Sequence, residues 1–109
     1  GSPKKLVSFG AHKQFYMHGF GHWLGLDVHD VGSYKNKDGS SRMLEPGMVF
    51  TVEPGIYIDA SAKVAAKWKN IGIRIEDDIV ITNQGTEVLT ESLPKSVLDI
   101  ENIVGSAYA

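Results

Sequence analysis

The clearest pattern of apolar and polar positions runs from Ile71 to Thr82. Isoleucine recurs at five odd-numbered positions there, whereas Arg74, Glu76 and Asp78 take even-numbered ones. A period of two places the isoleucines on one face of a strand and the charged residues on the other. We therefore expect a single strand over 71–82, and its apolar face predicts a central place in the sheet.

Shorter strands are indicated by alternation and by the turn residues around them. Pro46-Gly47 and Pro54-Gly55 flank one apolar run, and Asn83-Gln84-Gly85 predicts the turn of an antiparallel hairpin. The further strands expected on these grounds are Leu26–Val31, Met48–Val52, Ile56–Ile58 and Thr86–Leu89.

The remaining segments are expected to form loops and one helix. Residues 34–42 and 59–70 are polar, and a helical turn over 62–68 is the alternative for part of the second loop. Ser96 is a good N-cap for a C-terminal helix that reaches about Ile103. Strands followed by one helix predict an α+β fold with a mostly antiparallel sheet.

Composition narrows the class of protein. The 109 residues suffice for one small domain, and a net charge of −2 argues against a general nucleic-acid binder. No apolar run approaches membrane-spanning length and no signal peptide precedes the domain, so we expect a cytoplasmic protein. Cysteine is absent, which leaves His, Asp and Glu as candidate metal ligands. Gly1-Ser2 resembles a vector-derived remnant, so the domain is taken as residues 3–109.

Three adjacent acids, Glu76, Asp77 and Asp78, interrupt the best strand and have two interpretations. Acids in a strand often form a solvated edge that prevents aggregation. If the strand is central, an unpaired Glu76 would cost several kcal/mol or become neutral. Arg74 on the same face, or a bound metal ion, would offset that charge.

Glu53 allows the same two interpretations. The period of its strand puts Met48, Phe50 and Val52 toward the core, so Glu53 could simply face solvent. The Pro-Gly pair that follows makes a bend, and a strand that ends at a bend can present its last side chain into a cleft.

The histidines are more specific. His18 and His22 share one parity and His29 has the other, so a bend among the intervening glycines is needed to bring all three together. These glycines do not match a dinucleotide fingerprint. The alternatives are buried, hydrogen-bonded histidines or ligands that join carboxylates around zinc, manganese, cobalt or iron. His12 is expected at the surface.

Three motifs together resemble a known family. They are His18-Gly-x-x-His22-Trp-Leu-Gly-Leu-Asp-Val-His29, Leu44-Glu-Pro-Gly-Met-Val-x-Thr-Val-Glu53-Pro-Gly-x-Tyr57 and Gly72-Ile-Arg74-Ile-Glu76-Asp-Asp. From about Tyr16 onward the chain resembles the C-terminal part of bacterial aminopeptidase P, a family of pita-bread metallopeptidases. Prolidase, a dipeptidase relative, shares the same skeleton.

The resemblance implies a fold and a metal centre. The fold would be the C-terminal half of a pita-bread domain, an α+β unit with a curved, mostly antiparallel sheet and a C-terminal helix. The family holds two divalent metal ions, typically Mn²⁺, with two Asp, one His and two Glu. Residues His22, Glu53 and Glu76 resemble three of these ligands, and both Asp ligands would lie outside this chain.

The resemblance also implies roles in catalysis and substrate binding. Glu53 resembles the proton shuttle of the family as well as a ligand. His29 resembles the residue that polarises the scissile carbonyl, His18 one that lines the proline pocket, and Arg74 a neighbour of that pocket. His18, His29 and Glu53 are therefore the expected catalytic residues, and His18, His29 and Arg74 the expected substrate contacts.

The expected function is hydrolysis of the N-terminal residue from peptides with proline in second position, carried out by the intact enzyme. The alternatives are a prolidase and a non-catalytic pita-bread module that binds a peptide or protein. The isolated chain is expected to be inactive for lack of the two Asp ligands. Expected partners are Xaa-Pro peptides and further copies of the chain, through a homo-oligomer or self-association, with no nucleic acid and no membrane.

Overall fold

The computed structural model describes residues 2–106. The helices are α1 (Pro3–Ser8) and α2 (Val97–Ser106), and short 3-10 turns lie at Ala11–Gln14 and Ala66–Trp68. The strands are β1 (Val49–Val52), β2 (Gly55–Ile58), β3 (Ile71–Arg74), β4 (Asp77–Thr82) and β5 (Gly85–Val88). The expectations for Gly1 and for residues 107–109 lie outside the described part of the chain.

All strand pairs are antiparallel, and with the C-terminal helix they confirm the α+β prediction. One sheet has the order β1-β4-β5, and β2 and β3 form a separate two-stranded sheet. An extended segment over residues 20–24 follows the free edge of β1. Thr51 N–H donates to His22 O at 2.9 Å, and Glu53 N–H donates to Phe20 O at 2.7 Å. This segment brings the histidine motif beside the strand that ends in Glu53.

The single strand expected over 71–82 is wrong, because the chain breaks into β3 and β4 at residues 75–76. Val52 lies opposite Asp77 and Gly55 lies opposite Arg74. The same register places Pro54 opposite Ile75. Proline has no N–H to donate, so the ladder is interrupted there and only Ile75 N–H bonds across, to Pro54 O at 3.2 Å.

The strand expected over Leu26–Val31 is also absent, since this segment forms bends. Its backbone hydrogen bonds are made to residues nearby in the sequence. Gly25 N–H donates to Asp27 O, and Asp30 N–H donates to Trp23 O at 3.0 Å. The apolar residues of the alternation are exposed, because no described strand pairs with this segment. An alternating sequence therefore does not form a strand unless a neighbouring strand is available to pair with it.

The local turn and capping predictions are confirmed. Gly47 (φ 92°) and Gly85 (φ 134°) adopt the left-handed backbone that favours glycine, at the two turns expected. At the start of α2, Asp99 N–H donates to Ser96 Oγ at 3.1 Å, while the Ser96 hydroxyl donates to Asp99 Oδ2 at 2.6 Å. The first bond satisfies a backbone N–H at the helix N-terminus, as a serine N-cap does, and the second joins the two side chains.

The chain leaves its apolar faces open. Its surface of 8855 Å² exceeds the roughly 6,000 Å² of a compact monomer of this mass. Its radius of gyration of 17.6 Å exceeds the value of about 13 Å expected for this length. Every residue of β3 is exposed, so its isoleucines do not occupy the central position expected of them. Among residues 2–106 no hydrophobic side chain is fully buried.

Candidate metal centre

His22, Glu53 and Glu76 meet at one point. One ligand atom from each residue lies within 4.8 Å of the corresponding atoms of the other two. His22 comes from the segment beside β1, Glu53 follows β1, and Glu76 precedes β4. The convergence expected from the three motifs is therefore present in the fold.

The strand register accounts for the meeting of the two glutamates. With Val52 opposite Asp77 and Gly55 opposite Arg74, Glu53 falls opposite Glu76 in the gap between the sheets. Directly opposed side chains in antiparallel strands have Cβ atoms about 5 Å apart. Two opposed carboxylates repel each other, so this pair favours a bound cation.

Glu53 is 8% exposed, which excludes the interpretation that it simply faces solvent. Its Oε1 accepts a hydrogen bond from the Thr51 hydroxyl at 3.1 Å and lies 3.3 Å from His22 Nε2. Its Oε2 lies 3.5 Å from Arg74 Nε. Oε1 is therefore held by a hydrogen bond, whereas Arg74 faces Oε2 only as a nearby positive charge, because its single Nε–H is donated to Tyr57.

The orientation of His22 leaves Nε2 available as a ligand. Its Nδ1 lies 3.0 Å from Trp23 O, and a carbonyl can only accept, so Nδ1 carries the proton. In the neutral ring the Nε2 lone pair then points at the Glu53 carboxylate. Such a contact needs a cation between the two groups, either a proton or a metal ion. The His-carboxylate set therefore fits a divalent metal, with the ring oriented by a backbone carbonyl.

Thr51 links these two residues from beneath. It is 2% exposed, and its hydroxyl oxygen accepts a hydrogen bond from His22 N–H at 3.0 Å while it donates to Glu53. One buried hydroxyl thus fixes both the backbone of the histidine and the carboxylate. The strand face that carries Thr51, together with Glu53 just after β1, is more buried than the face of Met48, Phe50 and Val52 that the sequence assigned to the core.

A second cluster joins His18 to Arg74 through Tyr57. His18 Nδ1 lies 2.6 Å from Gly19 O, which places its proton on that nitrogen. Arg74 Nε donates to the Tyr57 hydroxyl at 2.8 Å, and that hydroxyl lies 2.9 Å from His18 Nε2. The hydroxyl can accept from Arg74 and donate to His18, so the three groups form a satisfied chain. The bond to Tyr57 raises the pKa of Arg74, which stays charged.

The remaining histidines differ in position. The His29 ring packs edge-on against His22 with centroids 4.4 Å apart, because the bends after Gly25 turn it back toward the site. His29 is exposed on its outer side. His12 is half-buried, and its Nδ1 has no hydrogen-bond partner among the described residues. His12 is therefore only partly exposed, with its Nδ1 atom covered.

Two of the three adjacent acids, Glu76 and Asp77, have different surroundings. Glu76 joins the cluster, whereas Asp77 Oδ1 accepts a bond from the Thr90 hydroxyl at 2.6 Å and lies 3.0 Å from Lys95 Nζ. The bond from Thr90 and then the contact with Lys95 lower the pKa of Asp77. Asp77 is therefore not a free solvated edge residue, and Glu76, although exposed, lies beside His22 and Glu53.

Sequence reasoning overlooked Thr51 and Tyr57. Thr51 shares the parity of Glu53 on a short strand, and a hydroxyl at that position is the signal that could have identified it. Tyr57 lies within the motif that contains Glu53, yet its importance depends on pairing between β2 and β3. That pairing sets Tyr57 opposite Gly72, next to Arg74.

Comparison with known proteins agrees with the class that this fold and cluster define, a metallopeptidase with the pita-bread fold. The model of metallopeptidase family M24 matches residues 4–83, and the chain belongs to this family. It is 54% identical over 104 residues to the Xaa-Pro aminopeptidase of Haemophilus influenzae, covering 95% of this chain. It is 43% identical over 105 residues to human Xaa-Pro aminopeptidase 3.

Solved structures give the same result. Pseudomonas aeruginosa aminopeptidase PepP matches 99% of this chain with a TM-score of 0.91 and 54% identity. Aminopeptidase P from E. coli with the inhibitor Pro-Leu matches 99% with a TM-score of 0.88. The chain spans about a quarter of these relatives, 24% of the H. influenzae enzyme and of each of the two solved chains. Within residues 2–106, neither helix has the length and apolar character to cross a bilayer.

Proposed function

We propose that the protein containing this chain is an Xaa-Pro aminopeptidase, which removes the N-terminal residue from peptides with proline in second position. The observation that carries the proposal is the meeting of His22, Glu53 and Glu76 within 4.8 Å at the interruption of the sheet. The 54% identity to Xaa-Pro aminopeptidases supports the choice of this activity within the family. In this view residues 3–109 are the C-terminal part of the catalytic domain.

His22, Glu53 and Glu76 would hold two divalent metal ions together with two Asp ligands from outside this chain, and we propose Mn²⁺. Such ions supply Lewis acidity, which lowers the pKa of water and polarises a carbonyl. The opposed carboxylates of Glu53 and Glu76 suit a site that must balance several positive charges.

Glu53 takes the proton of the attacking water and delivers it to the proline nitrogen. Thr51 holds one of its oxygens and Arg74 lies beside the other, so the carboxylate keeps its orientation during the transfer. Proline forms a tertiary amide without N–H, and the leaving nitrogen therefore needs a proton from the enzyme.

His18 and Arg74, joined by Tyr57, form one wall of the proposed proline pocket. The His18 ring packs edge-on between Tyr16 and Tyr57, which offers an aromatic surface to the proline ring. His29, exposed and packed on His22, donates a hydrogen bond to the scissile carbonyl in this proposal. Selectivity then depends on shape, since proline offers no amide hydrogen for recognition.

We further propose a cytoplasmic, homo-oligomeric enzyme whose isolated 109-residue segment is inactive. The absence of cysteine fits a reducing compartment. The large exposed apolar surface supports association, either with the rest of the polypeptide or with another copy.

The test uses the full-length protein with Mn²⁺ and three substrates: an Xaa-Pro-Xaa tripeptide, an Xaa-Pro dipeptide and an Xaa-Ala-Xaa tripeptide. We expect cleavage of the first, with a loss of at least about 100-fold in kcat for Glu53→Gln. Glu87→Gln, on the exposed edge of β5, is the matched control and should retain activity. Cleavage of the dipeptide alone would identify a prolidase, and hydrolysis of none would favour a binding module.

A further inference from the structure

Glu76 lies where the backbone has little support. It occupies the two-residue gap between β3 and β4, and it is exposed. A ligand carboxylate must keep its position to within a fraction of an ångström, which normally requires supporting contacts. Support for Glu76 must therefore come from the residues on either side of it.

The residue after Glu76 is firmly held. Asp77 Oδ1 accepts the Thr90 hydroxyl hydrogen at 2.6 Å and pairs with Lys95 Nζ at 3.0 Å. The Thr90 hydroxyl oxygen also accepts from Asp78 N–H at 3.1 Å. A single threonine thus bonds to both residues that follow the ligand.

Lys95 completes this arrangement. Its ammonium group also donates to Thr90 O at 2.9 Å and to Leu93 O at 3.1 Å. With Asp77 as the third partner, all three donors of the ammonium group are used. An ordinary surface ion pair contributes little, but this half-buried lysine fixes a turn and a carboxylate at once.

We propose that Asp77, Thr90 and Lys95 form a clamp that positions Glu76 for metal binding. Alternation along the strand points Asp77 away from the face of Glu76, so the clamp acts through the backbone. The inference rests on the proposed role of Glu76 as a metal ligand. The three are positioning residues, and none is placed in contact with metal or substrate.

The test compares Thr90→Val with Thr90→Ser in the full-length protein. Mn²⁺ affinity is measured by titrating the metal-free protein and following free Mn²⁺ by electron paramagnetic resonance. We expect about a 10-fold weaker affinity for Thr90→Val, with a lower kcat at unchanged KM. Thr90→Ser keeps the hydroxyl and should restore both values. Thr86→Val, on the exposed part of β5, is the control.

A Thr90→Val protein with the affinity and kcat of the parent would overturn the proposal, whatever its melting temperature. So would a Thr90→Ser protein that behaves like Thr90→Val. If the parent protein itself neither binds Mn²⁺ nor cleaves peptides, the proposed function fails. In that case, crystal structures of the variants test the clamp by itself. A shift of Glu76 away from Glu53 in Thr90→Val but not in Thr90→Ser would support the clamp. An unmoved Glu76 in Thr90→Val would refute it.

Discussion

Glu53 and Glu76 stand opposite each other in a single antiparallel register that continues through both sheets. Val52 pairs with Asp77 on one side of them and Gly55 pairs with Arg74 on the other. This register places two carboxylates side by side, next to Pro54, where the ladder of backbone hydrogen bonds is interrupted. The cost of placing like charges together is offset when a cation binds between them.

This arrangement predicts opposite effects of Glu76→Gln with and without metal. Without metal, removal of one like charge should stabilise the full-length protein by about 0.5 kcal/mol. With Mn²⁺ at about 100 times its Kd, the parent should gain about 2.7 kcal/mol and the variant much less. Thermal unfolding in chelator and in Mn²⁺ measures both effects, with Glu87→Gln as control. A variant that melts below the parent in chelator would contradict the repulsion.

Thr51→Val tests the buried hydroxyl between His22 and Glu53. Valine keeps the shape but leaves His22 N–H without its partner, which should cost about 1–3 kcal/mol of stability. Activity should fall as well, because Glu53 loses the bond to Oε1. Denaturant unfolding and kcat are the measurements. Thr86→Val should stay within about 0.5 kcal/mol of the parent, and equal effects of the two changes would show that the bridge is unimportant.

Gly21→Ala should be poorly tolerated. A Cβ at Gly21 would lie 1.8 Å from Thr51 O, so the segment beside β1 would have to move away and carry His22 with it. We expect a loss of about 2–3 kcal/mol together with weaker metal binding. Gly19→Ala is the matched control, since the nearest atom to its Cβ is 3.8 Å away. Normal metal affinity in Gly21→Ala would disprove the dependence of His22 on this close contact.

Tyr57→Phe should uncouple His18 from Arg74. The change removes the hydroxyl that bonds to both side chains, and kcat/KM for a proline substrate should fall about 10-fold, or about 1.4 kcal/mol. Steady-state kinetics on an Xaa-Pro-Xaa peptide provide the measurement. Tyr34 stacks on Trp23, and its hydroxyl accepts only a long bond from Trp23 N–H at 3.3 Å, so Tyr34→Phe should change kcat/KM far less. Equal losses in the two variants would argue against a specific role for Tyr57.

The isolated 109-residue chain should self-associate. It exposes about 3,000 Å² more surface than a compact monomer of its mass, and a stable protein interface buries about 1,600 Å². Sedimentation velocity at micromolar concentration should show dimers or larger species. A single monomer with a cooperative melt would show that this segment buries its own core in solution.

The local features of the chain follow from its residues alone. The turns at Gly47 and Gly85 and the Ser96 cap depend on backbone preferences and on contacts within four residues, which a short motif encodes. The motifs also identified His22, Glu53 and Glu76 as a set, because a charged or polar residue within an apolar strand is costly to bury without a partner.

Which strand faces are covered, and which distant side chains meet, depends on how the elements pack together. Alternation shows which residues share a face, but it does not show whether a neighbouring strand exists. For this reason the alternation over Leu26–Val31 predicts a strand that the structure does not contain. It also predicts one strand over 71–82, although the structure breaks this strand opposite Pro54. The contacts of Thr51 and Tyr57 join positions that are far apart in sequence, and only the packing of residues 20–24 beside β1, and of His18 against β2, brings them together.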